Sequence, residues 1–233
     1  MGWQPQPNLM KIIIASNFNE EINPRHTHSM ITFISALNNM KCEYDYYYSD
    51  NHFTDKLKNE WIHDFLQTNA THLFMVDPGL SWDMRGMVRF LNVIKKGADV
   101  VSGAFPNKCG GFGVHIKTED NYPVGLEGEN YRILEVNSIV PGFIIFKREV
   151  FEKMKPDFST YVKPTQFGEP EKVITEFFKT GNTKISEDIE FQKKVQEKGF
   201  KIFLEPNINF NYTGKKTWVG NYTQYLLGSP CAL

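Results

Sequence analysis

Through its first hundred residues this chain alternates short apolar runs with stretches whose apolar residues recur at the helical period, and few architectures accommodate that order. The β-branched run Lys11-Ile12-Ile13-Ile14-Ala15 reads as a strand buried on both faces. Ser16-Asn17-Phe18-Asn19 breaks it, and Pro24 leads into a helix on which Met30, Phe33, Ile34 and Leu37 share one side. An aromatic strand at 44–48 comes next. A helix over 54–67 follows, with Leu57, Trp61, Phe65 and Leu66 inward, and then a strand at 72–76. A further helix directs Met87, Val88, Leu91 and Ile94 inward and stops at Gly97, before a strand at 99–104. Such alternation predicts an α/β fold, a central mostly parallel sheet with right-handed crossovers and helices on its faces.

Beyond Pro106 the pattern loosens. The loop at 109–113 is rich in glycine but lacks the ending of a phosphate loop. Shorter strands and turns are expected over 114–140, an apolar strand at 144–146 and a helix at 148–154. Residues 156–172 read as a long irregular segment whose Phe158, Tyr161 and Phe167 are candidates to stack on a sugar. Ser186 is placed to cap an amphipathic helix reaching 198, Gly199 stops it, and 200–204 forms the last clear strand.

Composition bounds the rest. With 233 residues, 41% hydrophobic and 23% charged, the chain can bury a sizeable core, and a single domain over 10–233 behind a loose or appended tail, 1–9, is expected. A formal net charge of −1 offers no field for nucleic acid. Cys42, Cys109 and Cys231 are few, odd in number and far apart, which favours a reducing compartment. No apolar run approaches the roughly 20 residues of a membrane helix, and residues 1–9 lack the pattern of a signal peptide. A soluble, cytoplasmic protein without a membrane span is the expectation.

Four constellations could carry chemistry. In Asp77-Pro78-Gly79 a carboxylate ends a buried strand, where open α/β sheets bind ligands, although such an acid can also simply bond nearby amides in its turn. Ser186-Glu187-Asp188 sets acids at a helix start. They suit the helix dipole, and one of the pair, Asp188 by choice, could accept a proton from a hydroxyl. Lys215 and Lys216, beside Gly214, could clamp a diphosphate. Pro141 and Gly142 precede an apolar strand, and such a glycine can mark close approach of a ligand. His26 and His28 have no acidic partner nearby and are left as surface or acceptor-side residues.

In sequence order these pieces resemble the GT-A type nucleotide-sugar glycosyltransferases, with their Rossmann-like sheet, and are similar to small enzymes of phages and large DNA viruses. The resemblance covers 11–222 and rests on the strand at 11–15 with Ser16-Asn17, on 71–77 with Trp82, on 100–108, and on 141–151 together with 186–191. It implies that Ala15, Ser16 and Asn17 hold the nucleoside, and that Asp77 and Gly79 lie at the diphosphate with Lys215 and Lys216. It further implies that Trp82, Pro106, Lys108, Pro141 and Gly142 line the sugar and acceptor pocket, and that Asp188, with Glu187, is catalytic. It implies a divalent cation, Mn²⁺ or Mg²⁺, on Asp77. Here the chain departs from the family: Gly79 stands where the second acid of Asp-x-Asp belongs, and Tyr212 where a histidine often completes the metal site. Either weak metal dependence or a lysine clamp is expected. The implied reaction moves a sugar, from a UDP-sugar by preference, to a glycan or glycoprotein acceptor. The alternative is a non-catalytic nucleotide- or glycan-binding relative. A sugar nucleotidyltransferase would want a glycine-rich basic loop after the first strand, and residues 16–21 are acidic and glycine-free.

Overall fold

The apolar runs become the middle of one sheet because both faces of that sheet are covered. The computed structural model describes residues 10–17, 23–49, 55–107, 111–119, 122–123, 125–126, 133–164, 171–179, 186–213 and 217–227. Its elements run β1 (Lys11–Asn17), α1 (Pro24–Asn39), β2 (Glu43–Ser49), α2 (Asp55–Leu66), β3 (His72–Val76), β4 (Leu80–Trp82), α3 (Met87–Lys95) and β5 (Val100–Gly103). Short strands β6 (Val114–Ile116), β7 (Thr118–Glu119), β8 (Tyr122–Pro123) and β9 (Gly125–Leu126) precede β10 (Ile133–Ile139), β11 (Phe143–Lys147) and α4 (Arg148–Met154). The chain continues through β12 (Thr160–Lys163), β13 (Lys172–Thr175), α5 (Glu187–Glu197), β14 (Ile202–Glu205), β15 (Asn209–Thr213), β16 (Thr217–Asn221) and α6 (Tyr222–Leu226).

Among the described residues nine strands form the main sheet, in the order β2-β1-β3-β11-β5-β14-β10-β6 with β9 beside β10. β1 is parallel to β2 and β3, and β14 to β5. β11 enters antiparallel between β3 and β5, and β10 antiparallel between β14 and β6. Six of the eight strands in that order therefore share one direction, and the sheet is mostly parallel, as the alternation predicts.

Side chains alternate across each strand, so each apolar run feeds two cores. Ile12, Ile14, Phe74, Val76, Phe143 and Ile145 face α1 and α3. Ile13, Ala15, Leu73, Met75, Ile144 and Phe146 face the helices α2, α4 and α5. Aromatic rings join the layers: Phe74 meets Phe33 and Phe143 edge-on at 5.2 and 4.9 Å, and Phe151 lies near Phe146 and Phe191. Arg148 ties α4 to the end of α2, donating to the carbonyls of Ala70 at 2.6 Å, Thr68 at 2.7 Å and Phe65 at 2.9 Å. These carbonyls lie at and just beyond the end of α2, where the helix itself supplies no amide donors in register; the Phe65 carbonyl also receives the Thr68 amide and hydroxyl.

Several boundaries differ from the sequence reading. Ser16 and Asn17 continue β1 instead of breaking it. On α3 the buried arc is Met87, Phe90, Leu91 and Ile94, and Val88 is 51% exposed. The i, i+3, i+4, i+7 rule selects Phe90 and turns Val88 outward. Part of 156–172 is regular, because β12 pairs antiparallel with β13; Phe167 lies outside the described residues. Ser186 precedes α5 but its side chain makes no capping bond; its carbonyl receives the amides of Ile189 and Glu190. Among the described residues no helix is long and apolar enough to cross a membrane.

His72 gives the fold a pH dependence. Burial, reinforced by the Lys147 ammonium, holds its imidazole down at about 4 against an ordinary 6.5. Between those values the unfolded chain binds the proton and the folded chain does not, so stability is full above 6.5 and falls as pH drops toward 4. The loss expected is about 3 kcal/mol. Urea unfolding across this window should show that slope, and His72→Gln should flatten it.

Candidate active site at the carboxyl edge of the sheet

The antiparallel entry of β11 builds the centre of the candidate site. Because β11 runs against β3, with Phe143 opposite Val76, the start of β11 meets the end of β3. The Asp77 amide donates to the Gly142 carbonyl at 2.8 Å, which joins the Asp77 turn to Pro141 and Gly142. Asp77 Oδ1 accepts the Gly79 amide at 2.7 Å and the Leu80 amide closes the turn on the Asp77 carbonyl. β4 then pairs antiparallel with β15, Leu80 opposite Tyr212, and the Thr213 amide donates to the Gly79 carbonyl at 2.8 Å. Tyr212 thus lies over Gly79. A Cβ on Gly79 would sit 3.0 Å from the Tyr212 ring, 3.1 Å from Asp77 Oδ1 and 3.1 Å from the Thr213 carbonyl. A side chain here would make its neighbours give by a few tenths of an ångström, and glycine avoids that crowding.

Ala15, Ser16 and Asn17 end the neighbouring strand at the same edge and are buried. Ser16 Oγ donates to the Val76 carbonyl at 2.8 Å, fixing the end of β1 to the residue before Asp77. Pro106 is buried and bridges to Phe112. Gly142 packs under Phe105, whose ring stacks on Tyr212 at 6.0 Å. Trp82, expected on the sugar pocket, is only 5% exposed; its ring packs edge-on against Phe143 at 5.0 Å and His26 at 5.7 Å. It belongs to the core because β4 lies between α1 and β15. His26 is likewise buried instead of on the surface, with Nδ1 2.7 Å from the Leu80 carbonyl, and burial holds its imidazole below the ordinary value against the pull of that carbonyl. Lys108, Lys215 and Lys216 lie outside the described residues.

The second half of the site is electrostatic. α2 follows the parallel strand β2, and α5 runs down toward the amino end of β14, so both helices begin at the carboxyl edge. Lys58 on α2 is 4% exposed and meets three carboxylates: Asp188 at 2.6 Å, Asp55 at 3.7 Å and Glu187 at 3.8 Å. Its ammonium also lies 4.9 Å from the Phe178 ring centre. Burial pushes the Asp188 carboxyl above the ordinary aspartate range, against the pull of Lys58. Burial raises Glu187 as well, with its own backbone amide opposing. Although Glu187 and Asp188 diverge on their helix, the lysine gathers both. Reading the sequence for acids alone missed Lys58; its signal was a lysine four residues before buried Ile62, inside the apolar arc of α2.

The donor set at the Asp77 turn does not fit a divalent cation held by the protein. Among the described residues one carboxylate is present at the turn, with an oxygen already receiving the Gly79 amide, and its neighbour is a phenol ring. Among the described residues no three His, Cys, Asp or Glu side chains gather to hold a metal. No step below runs through one.

No protein-family model matches the sequence, and no curated protein does. Among solved structures, the crystal structure of A197 from STIV overlays with a TM-score of 0.55 over 92% of this chain and 91% of that one, at 16% identity. The likeness at that identity is one of fold. Looser overlays include the inositol-1-phosphate CTP transferase from T. maritima, with TM-score 0.44, 10% identity and coverage of 89% and 90%. A glycosyltransferase involved in glycosylation of the major capsid of PBCV-1 overlays with TM-score 0.35, 10% identity and coverage of 62% and 63%.

Lys58 should be the electrostatic keystone of this edge. Lys58→Met removes a buried cation from three partly buried carboxylates and should cost about 3 kcal/mol in urea unfolding. Adding Asp188→Asn to it should recover part of that loss, because one of the stranded charges is gone.

Proposed function

We propose that this chain is a glycosyltransferase that moves a sugar from a nucleoside diphosphate sugar, with uridine the expected nucleoside, to a hydroxyl of a glycan acceptor. The observation that supports this best is the convergence at one sheet edge of the end of β1, the Asp77 turn, Pro141–Gly142 and the acidic start of α5. A diphosphate would lie against the Asp77–Gly79 turn, and the nucleoside at Ala15–Asn17. Asp188 would take the proton from the acceptor hydroxyl as its oxygen bonds to the anomeric carbon. The bond from that carbon to the diphosphate oxygen breaks, its electron pair leaves with the nucleoside diphosphate, and the anomeric centre inverts. Lys58 opposes the burial that raises the Asp188 ionisation and so favours the carboxylate form that a base requires.

A second reading, a nucleotide- or glycan-binding protein without turnover, is favoured by Gly79 in place of an acid and by the engagement of Asp188 with Lys58. A panel of UDP-sugars, assayed for release of UDP, separates the two. The transferase reading expects release from at least one donor, falling on acidification through the raised Asp188 ionisation. Asp188→Asn should lower kcat by about a hundredfold or more while UDP affinity holds. UDP binding without release from any donor supports the second reading, and an Asp188→Asn variant at full rate removes Asp188 as the base.

A further inference from the structure

The small sheet of β4, β15 and β16 has two unlike faces. Trp82 and Phe210 are buried in the aromatic core beside Phe143, and Tyr212 follows Phe210 on that side. Ser81, Asn209 and Asn211 alternate with them on the other face, Asn211 directly opposite Ser81. There the first turns of α1, through Pro24, Arg25 and His28, border an open cavity of about 420 Å³ with Ser81, Asp83, Asn209 and Asn211.

Its floor is fixed by a polar network. Asn209 Nδ2 donates to Asp83 Oδ2, Asn209 Oδ1 accepts from Asn221 at 2.6 Å, and Asp83 Oδ1 accepts the Arg85 amide at 3.1 Å. Ser81 is the exception. It is 3% exposed, and its Oγ has no hydrogen-bond partner among the described residues. A buried hydroxyl left so is costly, and native interiors rarely keep one without a use.

We propose that this cavity is a carbohydrate-binding site for a neutral sugar unit, a mono- or disaccharide, separate from the Asp77 turn. Its volume lies within the range of about 300–1,000 Å³ typical of small-ligand pockets. Arg25 and Asp83 balance in charge, so an ion gains no net field. A guanidinium, two planar carboxamides and a hydroxyl supply the paired donors and acceptors that adjacent sugar hydroxyls use. Trp82, at 5% exposure, presents no open ring face on which a nucleobase could stack. Because Asn211 and Tyr212 point to opposite faces, the site is independent of the transferase reading.

The test is an NMR titration of the full chain with methyl β-galactoside, N-acetylglucosamine and lactose, read at the side-chain amides of Asn209 and Asn211. Saturable shifts are expected with at least one of the three. Affinity should weaken about tenfold in Asn211→Ala and in Arg25→Ala, the size of one lost hydrogen bond to a charged or buried partner, and hold in Asp77→Asn. Both weakened variants replace side chains that are at least partly open to solvent, and thermal unfolding checks that they fold. Absence of shifts with all three sugars overturns the proposal. So does binding that survives unchanged in both cavity variants, or that is lost instead in Asp77→Asn, which would place the sugar at the sheet edge.

Discussion

The pairing of β3 with β11 is the constraint on which the rest of this structure depends. A strand that enters a parallel sheet in reverse brings its beginning to the edge where its neighbours end. Five register pairs, from Phe143↔Val76 to Lys147↔His72, fix that meeting, and the Asp77–Gly142 hydrogen bond extends it one step beyond the strands. Both strands are buried on both faces, so a one-residue slip would exchange the side chains of the two cores. The same lock positions the Asp77 turn, which launches β4 toward β15 and sets Tyr212 above Gly79.

Around that rigid centre the candidate site divides into a backbone part and a charged part. At the Asp77 turn amides, carbonyls and a glycine closely crowded by its neighbours do the shaping. At the starts of α2 and α5 a buried ammonium holds three carboxylates together. The first part is defined by strand register, the second by electrostatics in a poorly solvated pocket, where a lone charge would be costly and a paired one is tolerated. Ionisation of Asp188 is therefore a property of the pair of helices and not of its own turn.

Much of this was legible in the sequence, for physical reasons. Strands covered on both faces must be continuous apolar runs, which is why 11–15, 72–76 and 144–146 stand out, and α4 occupies the expected 148–154. The turn at Asp77 could be placed because a buried strand ended there at a carboxylate, Pro and Gly. What the sequence concealed depends on distant partners. The resemblance put Trp82 on the sugar and acceptor pocket, but β4 pairs with a strand near the far end of the chain and turns its ring into the core. The hairpin β12–β13 consists of short half-exposed strands with no apolar run to announce them. Lys58 carries no local signal of its partner, because only tertiary packing brings Asp188 to it.

On the proposed function the carboxyl edge at Asp77 receives a nucleoside diphosphate, and a crystal structure of the chain with uridine diphosphate is the decisive measurement. The diphosphate is expected against the Asp77–Gly79 turn and Gly142, with the nucleoside beside Asn17. Uridine diphosphate seated elsewhere, such as at the opposite edge among Met10, Cys42 and His72, or no binding at saturating concentration, would contradict it.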